Sequence, residues 1–289
     1  MILRELAATR PVLTDGAWAT ELQCFGLPPR DCPDGWNLLQ PDVVREVARS
    51  YVDAGSRVIL TNTFRANAIS LAAWRLEDAV AEINRAGAGL SREAAGTRAY
   101  VFGSIGPTGE QVALNHLRRE AAYAAFAEQA AALAAGGVHA LLLETFSDLE
   151  EAHIALRAAR TTGLPAIVSF AFPAGANQDR TTTGATPEQV AHAMTEAGAD
   201  AVGANCGAIE ACIGVCRRMH SATHLPLWMK PNAGMPGMAS ERFASHARSV
   251  IDAGATFLGA CCGSGPGLIR VLAEMLAARM EACHAHQGH

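Results

Sequence analysis

The sequence predicts an α/β fold, a (β/α)8 barrel of the TIM type, formed as one domain over residues 1–282. Three observations carry this. Short, continuously apolar runs recur along the chain, as in strands buried on both faces of a parallel sheet. Ala-rich stretches with helical spacing separate them. The runs number eight in a chain of 289 residues, a length that fits the ~250 residues of such a barrel plus modest loops. The competing arrangement is an open doubly wound sheet. Against it stand the count of eight and the lack of a G-x-G-x-x-G opening the first helix.

The runs follow in order: PVLT (11–14), RVILT (57–61), AYVFGSI (99–105), VHALLLE (138–144), PAIVSFAF (165–172), AVGAN (201–205), PLWMK (226–230) and TFLGA (256–260). Helices are read in EAAYAAFAEQAAALAAG (120–136), DLEEAHIALRAAR (148–160) and PEQVAHAMTEAG (187–198). Glycines in DAGSRV, AGGVHA, EAGADAV and DAGATF precede the next strand and read as helix C-caps. No internal linker or low-complexity stretch marks a second domain. The stretch 283–289 reads as a disordered tail.

Composition narrows the function. Hydrophobic residues make up 50% and charged residues 18% of the chain. No apolar run approaches the ~20 residues of a membrane span, and MILRELAATRP lacks the pattern of a secretory leader. A cytoplasmic protein without a membrane partner is expected. A net charge of −5 without a basic stripe argues against nucleic acid. Lys230 is the only lysine, and the sequence suggests no role for it. The eight cysteines are irregularly spaced and form no CxxC pair, which excludes a zinc ribbon or a thioredoxin motif.

A barrel carries its active site at the C-terminal ends of its strands. Those ends read TDG (14–16), TNTF (61–64), GSIGPTG (103–109), ETF (144–146), SFAF (169–172), GANC (203–206), KPNAG (230–234) and GACCG (259–263). Polar and reactive residues gather there, while the strand interiors are plain. Cys206 ends the sixth strand, and Cys261 and Cys262 end the eighth. Adjacent side chains on a strand point to opposite faces, but a chain bending into its loop brings both sulfurs to one point on the rim. Three converging thiolates suit zinc with one position open. So electron-rich a site is a poor activator of water, but it keeps a substrate thiol ionised and nucleophilic. Alkyl transfer to a thiol fits better than hydrolysis. The bland alternative is that each cysteine is a small hydrophobe, the reading adopted for Cys212 and Cys216, four apart on one helix. A vicinal Cys261–Cys262 disulfide is a further alternative, disfavoured by its strained geometry. Asp15 and Glu144 also stand at strand ends, where a carboxylate is costly unless it meets a cation. An amino-acid ammonium is a natural partner, and general acid/base work is the rival. The TDGAW and GSIGPTG loops offer either amides for a substrate carboxylate or simply tight turns.

The segments DGAWATELQ (15–23), VILTNTFRAN (58–67), VFGSIGPTGE (101–110), LLLETFSDLEEA (141–152), GANCG (203–207), KPNAGMP (230–236) and GACCG (259–263) resemble, in the same order, the zinc-dependent homocysteine S-methyltransferases. The wording is most similar to the homocysteine-binding barrel of cobalamin-dependent methionine synthase. Betaine- and S-methylmethionine-dependent enzymes share the fold. The resemblance implies a zinc ion on Cys206, Cys261 and Cys262, with Asn232 as a resting fourth ligand. It implies Glu144 and Asp15 on the homocysteine ammonium, with Gly16, Thr63, Phe64 and Asn205 completing the substrate site. Homocysteine thiolate would then take a methyl group and become methionine. Ser264 and Leu268 stand where the family has Thr and His, and Trp18 and Ala19 where it often has Met and Gly. These departures leave the zinc and homocysteine sites intact and bear on the donor side.

The implied partners are homocysteine and a small methyl donor. A sulfonium, S-methylmethionine or S-adenosylmethionine, ranks first, and a methylcorrinoid protein acting in trans second. Betaine ranks lower: Arg65 is awkward beside a cationic donor, and Trp36 is the only good candidate for an aromatic cage. Other readings remain. One is a zinc methyltransferase or demethylase acting on another small thiol, a selenol or a methylated amine. Another is a non-catalytic barrel that binds zinc or an amino acid.

Overall fold

The computed structural model describes residues 2–9, 11–109, 118–234 and 238–287. Among these, the strands are β1 (Val12–Leu13), β2 (Val58–Leu60), β3 (Tyr100–Ile105), β4 (Ala140–Phe146), β5 (Ala166–Phe170), β6 (Ala201–Ala208), β7 (Leu227–Asn232) and β8 (Phe257–Leu258). They form one sheet in the order β1-β8-β7-β6-β5-β4-β3-β2 with parallel neighbours. A parallel bridge from Thr14 to Val58 joins the two ends and closes the barrel. This is the α/β TIM barrel that the eight runs predict.

Two apolar layers follow from the two-residue period of each strand. Outward-facing Ile59, Val101, Leu141, Val168, Val202, Met229 and Leu258 join the core beneath the helices. Their neighbours Val58, Phe102, Leu142, Ile167, Trp228 and Phe257 pack together inside the barrel. Leu3 and Leu6 of the N-terminal helix Ile2–Ala8 join this inner cluster and plug one mouth. Trp228 lies between Phe102 and Phe257, with ring centroids 5.9 and 5.4 Å away.

Two residues further along the same strand faces, the inward positions turn polar. Phe102 gives way to Ser104, Leu142 to Glu144, Ile167 to Ser169 and Trp228 to Lys230. The inner bore is therefore oily at one end and chemically equipped at the other.

The three predicted helices are found at Arg119–Ala135, Leu149–Arg160 and Pro187–Glu196. Thr186 and Gln189 cap the last of these reciprocally in a capping box. Gly254 shows why glycine ends a helix here. Its φ is +116°, and a Cβ on it would lie 2.6 Å from the His220 ring. The last helix is Pro266–Gln287, so helical backbone runs into the stretch that reads as a disordered tail. No glycine or proline falls between Gly267 and Gly288 to stop it. Among the described residues, no helix is long and apolar enough to cross a membrane.

Candidate metal centre

Two local distortions build the centre. β4 and β6 each lose register near their C-terminal ends, between Leu143 and Phe146 and between Asn205 and Ala208. Thr145 and Cys206 lie at these breaks with positive φ, +66° and +58°. Left-handed backbone is uncommon for residues with a side chain and needs outside support. Asn205, buried, supplies it. Its Oδ1 accepts from Thr145 N–H (3.0 Å) and Ser169 Oγ (2.7 Å), while its Nδ2 donates to Thr145 Oγ1 (2.6 Å) and Cys206 Sγ (3.5 Å). Gly203, two residues earlier, lets β6 approach β7 so closely that a Cβ would collide with the Trp228 carbonyl.

From the other side, the segment leaving β8 carries the cysteine pair. Cys261 N–H donates to the Pro231 carbonyl (2.8 Å), and Cys262 N–H to Asn232 Oδ1 (3.1 Å). Ser264 Oγ donates to the Cys261 carbonyl (2.6 Å) and accepts from Ala17 N–H (3.1 Å). The three sulfurs meet. Cys206 Sγ is 3.0 Å from Cys261 Sγ, which is 4.0 Å from Cys262 Sγ, and all three lie within 4.8 Å of one another. Sulfurs around a tetrahedral zinc, with Zn–S about 2.3 Å, would stand about 3.8 Å apart. The donor set fits such an ion, with Cys261 and Cys262 near that spacing and Cys206 closer to Cys261 than it, and no other described His, Cys, Asp or Glu joins the group. Cys24, Cys32, Cys206, Cys212, Cys216, Cys261 and Cys262 are free thiols. The neighbouring thiols Cys206 and Cys261 hold Cys262 down to about 3. Contact with Cys206 and Cys262 pushes Cys261 well above the usual thiol range.

The sulfurs open into a cavity of about 380 Å³. Gly16, Thr63, Phe64 and Glu144 line it together with Ser104 and Lys230. Asp15, Asn205 and Asn232 do not line it. Asn232 accepts from the Cys262 backbone, and Asn205 ties Thr145 and Ser169 to the Cys206 sulfur. Glu144 is 7% exposed, and its Oε1 accepts from Ser104 Oγ at 2.5 Å. Burial pushes its pKa up, and Lys230 and Ser104 only partly offset this. Asp15 is fully buried. Its Oδ1 accepts from Lys230 Nζ (2.5 Å), and its Oδ2 from Trp18 Nε1 (2.9 Å) and Leu60 N–H (2.8 Å). Burial works against the Lys230 ammonium, but Asp15 and Glu144 outweigh it and hold the pKa above the ordinary lysine value.

Several residues stand apart from the sequence reading. Lys230 has no visible role in the sequence, yet it sits at the centre of the site. Trp18 bears on more than the donor side, since it bonds Asp15. Trp36 forms no cage: it is 8% exposed and packs in the outer core. Trp18, Phe64 and Trp74 are the rings that line the cavity, and the Arg65 guanidinium lies 5.8 Å from the Trp74 ring centroid. In the GSIGPTG loop, the Gly106 and Thr108 amides are taken by the Phe64 carbonyl and Glu151, which anchor the loop to its neighbours. Cys212 and Cys216 are buried on the helix Ile209–Ala222, as packing residues should be. Glu110, Met235 and Pro236 from the quoted segments lie outside the described residues.

The outer cavity holds two more acids that the sequence does not reveal, Asp31 and Asp34. Asp34 is 2% exposed and accepts from Arg65 N–H at 2.9 Å. Burial raises its pKa from 3.8 to about 6. The folded protein therefore holds this proton more tightly than the unfolded chain. The resulting stability is full below pH about 4 and is lost as pH rises through about 6. Asp34→Asn should stabilise the protein at pH 7.5 by up to about 3 kcal/mol and leave it unchanged near pH 3.5. Urea titrations at the two pH values measure this, and an equal shift at both would contradict it.

The sequence model of the homocysteine S-methyltransferase family matches residues 12–276. Methionine synthase of Mycobacterium tuberculosis is 27% identical over 95% of this chain, and that of Mycobacterium leprae 28% over the same share. The chain spans about a quarter of the length of these curated relatives, 25% of each. Among solved structures, the homocysteine methyltransferase MmuM from Escherichia coli, in its metallated form, superposes with a TM-score of 0.82 at 26% identity. That match covers 94% of this chain and 99% of MmuM. With the matched span running from β1 into the last helix, the chain belongs to the homocysteine S-methyltransferase family.

Proposed function

We propose that this protein transfers a methyl group to the thiolate of homocysteine, giving methionine, with zinc as its resident metal. The observation that carries this is the convergence of Cys206, Cys261 and Cys262 on a cavity whose floor bears Glu144. Zinc held by the three sulfurs would keep the substrate thiol ionised at neutral pH. Glu144 takes the substrate ammonium, and its own bond to Ser104 fixes the carboxylate in place. Gly16, Thr63 and Phe64 wall the amino-acid end. The thiolate sulfur attacks the methyl carbon in line. A sulfur–carbon bond forms, the bond from carbon to the donor atom breaks, and its electron pair stays on the donor. No proton moves in that step, so no general base is required.

A small sulfonium donor is favoured. Trp18 and Phe64 line the outer cavity and Asp34 adds a carboxylate there, while Arg65, which also lines it, already lies over the Trp74 ring. Those two open rings and the carboxylate attract a cation. The volume of about 380 Å³ suits two small molecules end to end. A methylcorrinoid protein docking at the rim is the second donor considered.

Zinc-loaded protein, purified without oxygen, tests the proposal. Homocysteine is offered with S-methylmethionine, S-adenosylmethionine, betaine and methylcobalamin in parallel. Methionine formed from any of them supports it, and the productive one names the donor. Methylation of other thiols only, or no methionine from any donor, overturns it.

A further inference from the structure

We infer that Lys230 makes Asp15 an internal counter-ion, so that Glu144 alone receives the substrate ammonium; this rests on the homocysteine reading above. Lys230 is the one lysine among 23 basic residues, and it is buried in the site rather than displayed on the surface. Its Nζ sits 2.5 Å from Asp15 Oδ1, with side-chain exposures of 2% and 0%. The other Asp15 oxygen is already taken by Trp18 Nε1 and Leu60 N–H. Lys230 and Glu144 line the cavity, whereas Asp15 does not. An entering ammonium therefore meets the lysine's positive charge in front of the Asp15 negative charge. In a poorly screened interior the two nearly cancel at that distance. Of two carboxylates and one ammonium, a single net negative charge remains, and it belongs to Glu144.

Stability alone explains the pair poorly. A buried ion pair often contributes no more than a well-packed apolar pair of similar volume. Here the pair sets how many cations the floor accepts. It also makes Asp15 and Lys230 interdependent. Asp15→Asn leaves Lys230 facing Glu144 unpaired and brings the floor to net zero. Asp15→Asn with Lys230→Met removes both charges together and returns the floor to one negative charge.

Binding of homocysteine and of its desamino analogue, 4-sulfanylbutanoate, is measured by calorimetry on zinc-loaded protein. Asp15→Asn should weaken homocysteine at least about 30-fold and strengthen the analogue. Adding Lys230→Met should restore homocysteine to within about threefold of the parent protein. If Asp15 instead holds the ammonium directly, the double variant stays as weak as Asp15→Asn and the analogue is indifferent to both changes. That result overturns the inference. Should either variant fail to fold, a crystal structure of the parent protein with homocysteine decides. The ammonium on Glu144 with the Lys230–Asp15 pair intact supports the inference; the ammonium on Asp15 with Lys230 displaced overturns it. A parent protein that binds no homocysteine overturns the functional reading and this inference together. Binding by the parent without recovery in the double variant overturns this inference alone.

Discussion

Serine in place of Cys261 is expected to strip the protein of tightly bound zinc and to abolish methionine formation while the barrel stays folded. Cys261 is the middle sulfur of the cluster, 3.0 Å from Cys206 and 4.0 Å from Cys262. A hydroxyl does not ionise near neutral pH and is a harder donor than a thiolate. Removing even an outer partner of a metal ligand costs about 10- to 100-fold in affinity, and losing the ligand itself should cost more. The fold should tolerate the change. Cys261 is held by its backbone, through the Pro231 carbonyl and Ser264 Oγ, and neither bond involves its sulfur. Cys206→Ser should behave alike. Cys212→Ser is the control: its thiol is buried on a helix away from the cluster, so stability falls somewhat while zinc and activity persist. Metal analysis, thermal unfolding and the methionine assay separate these outcomes. Full turnover by a metal-free Cys261→Ser protein would refute the mechanism.

The barrel is legible in the sequence because each strand is apolar on both faces, and that signal repeats eight times. The cysteine triad is legible because a strand end limits where a side chain can point. Cys206 and the Cys261–Cys262 pair stand at two such ends, separated around the sheet only by β7. What stays hidden is everything that depends on which strands face each other across the bore. Ser104 reads as part of a glycine-rich turn, yet it fixes Glu144 from the neighbouring strand. Lys230 and Asp15 are 215 residues apart, and no spacing rule links them. The substitution of Trp18 reads as a donor-side change because the loop after β1 is far from β7 in sequence. Its indole in fact closes the second oxygen of Asp15. Trp36 shows the opposite error. An aromatic in the right loop is drawn into the core, and rings from elsewhere line the cavity. Residue type at a strand end predicts chemistry well, but pairing among those residues requires the closed barrel.

That closed geometry makes Glu144→Gln the sharpest test of substrate recognition. Glutamine keeps the size of the side chain and still accepts from Ser104 Oγ, so packing changes little. The charge is lost. With Lys230 and Asp15 neutralising each other, nothing on the floor then attracts an ammonium. Truncating one partner of a buried charge pair costs about 2–5 kcal/mol, so KM for homocysteine should rise by at least about 30-fold. The metal content should not change, because Glu144 is not a member of the cysteine group. kcat should change little, since the ammonium is bound equally in the ground and transition states. The pH profile supplies an independent sign. Burial raises the Glu144 pKa above 4.5, and ammonium binding needs the ionised form. In the parent protein kcat/KM should therefore fall as pH drops through that raised value, above the ordinary carboxylate range. In Glu144→Gln the part of the acid limb that belongs to this carboxyl should vanish, while the proton that the substrate thiol gives up on meeting the metal still shapes the profile. For 4-sulfanylbutanoate, which has no ammonium, the substitution should relieve repulsion between two carboxylates and lower KM. An unchanged homocysteine KM would remove Glu144 from the site, and an equal loss for both thiols would mean that the carboxylate shapes the pocket rather than reads the charge.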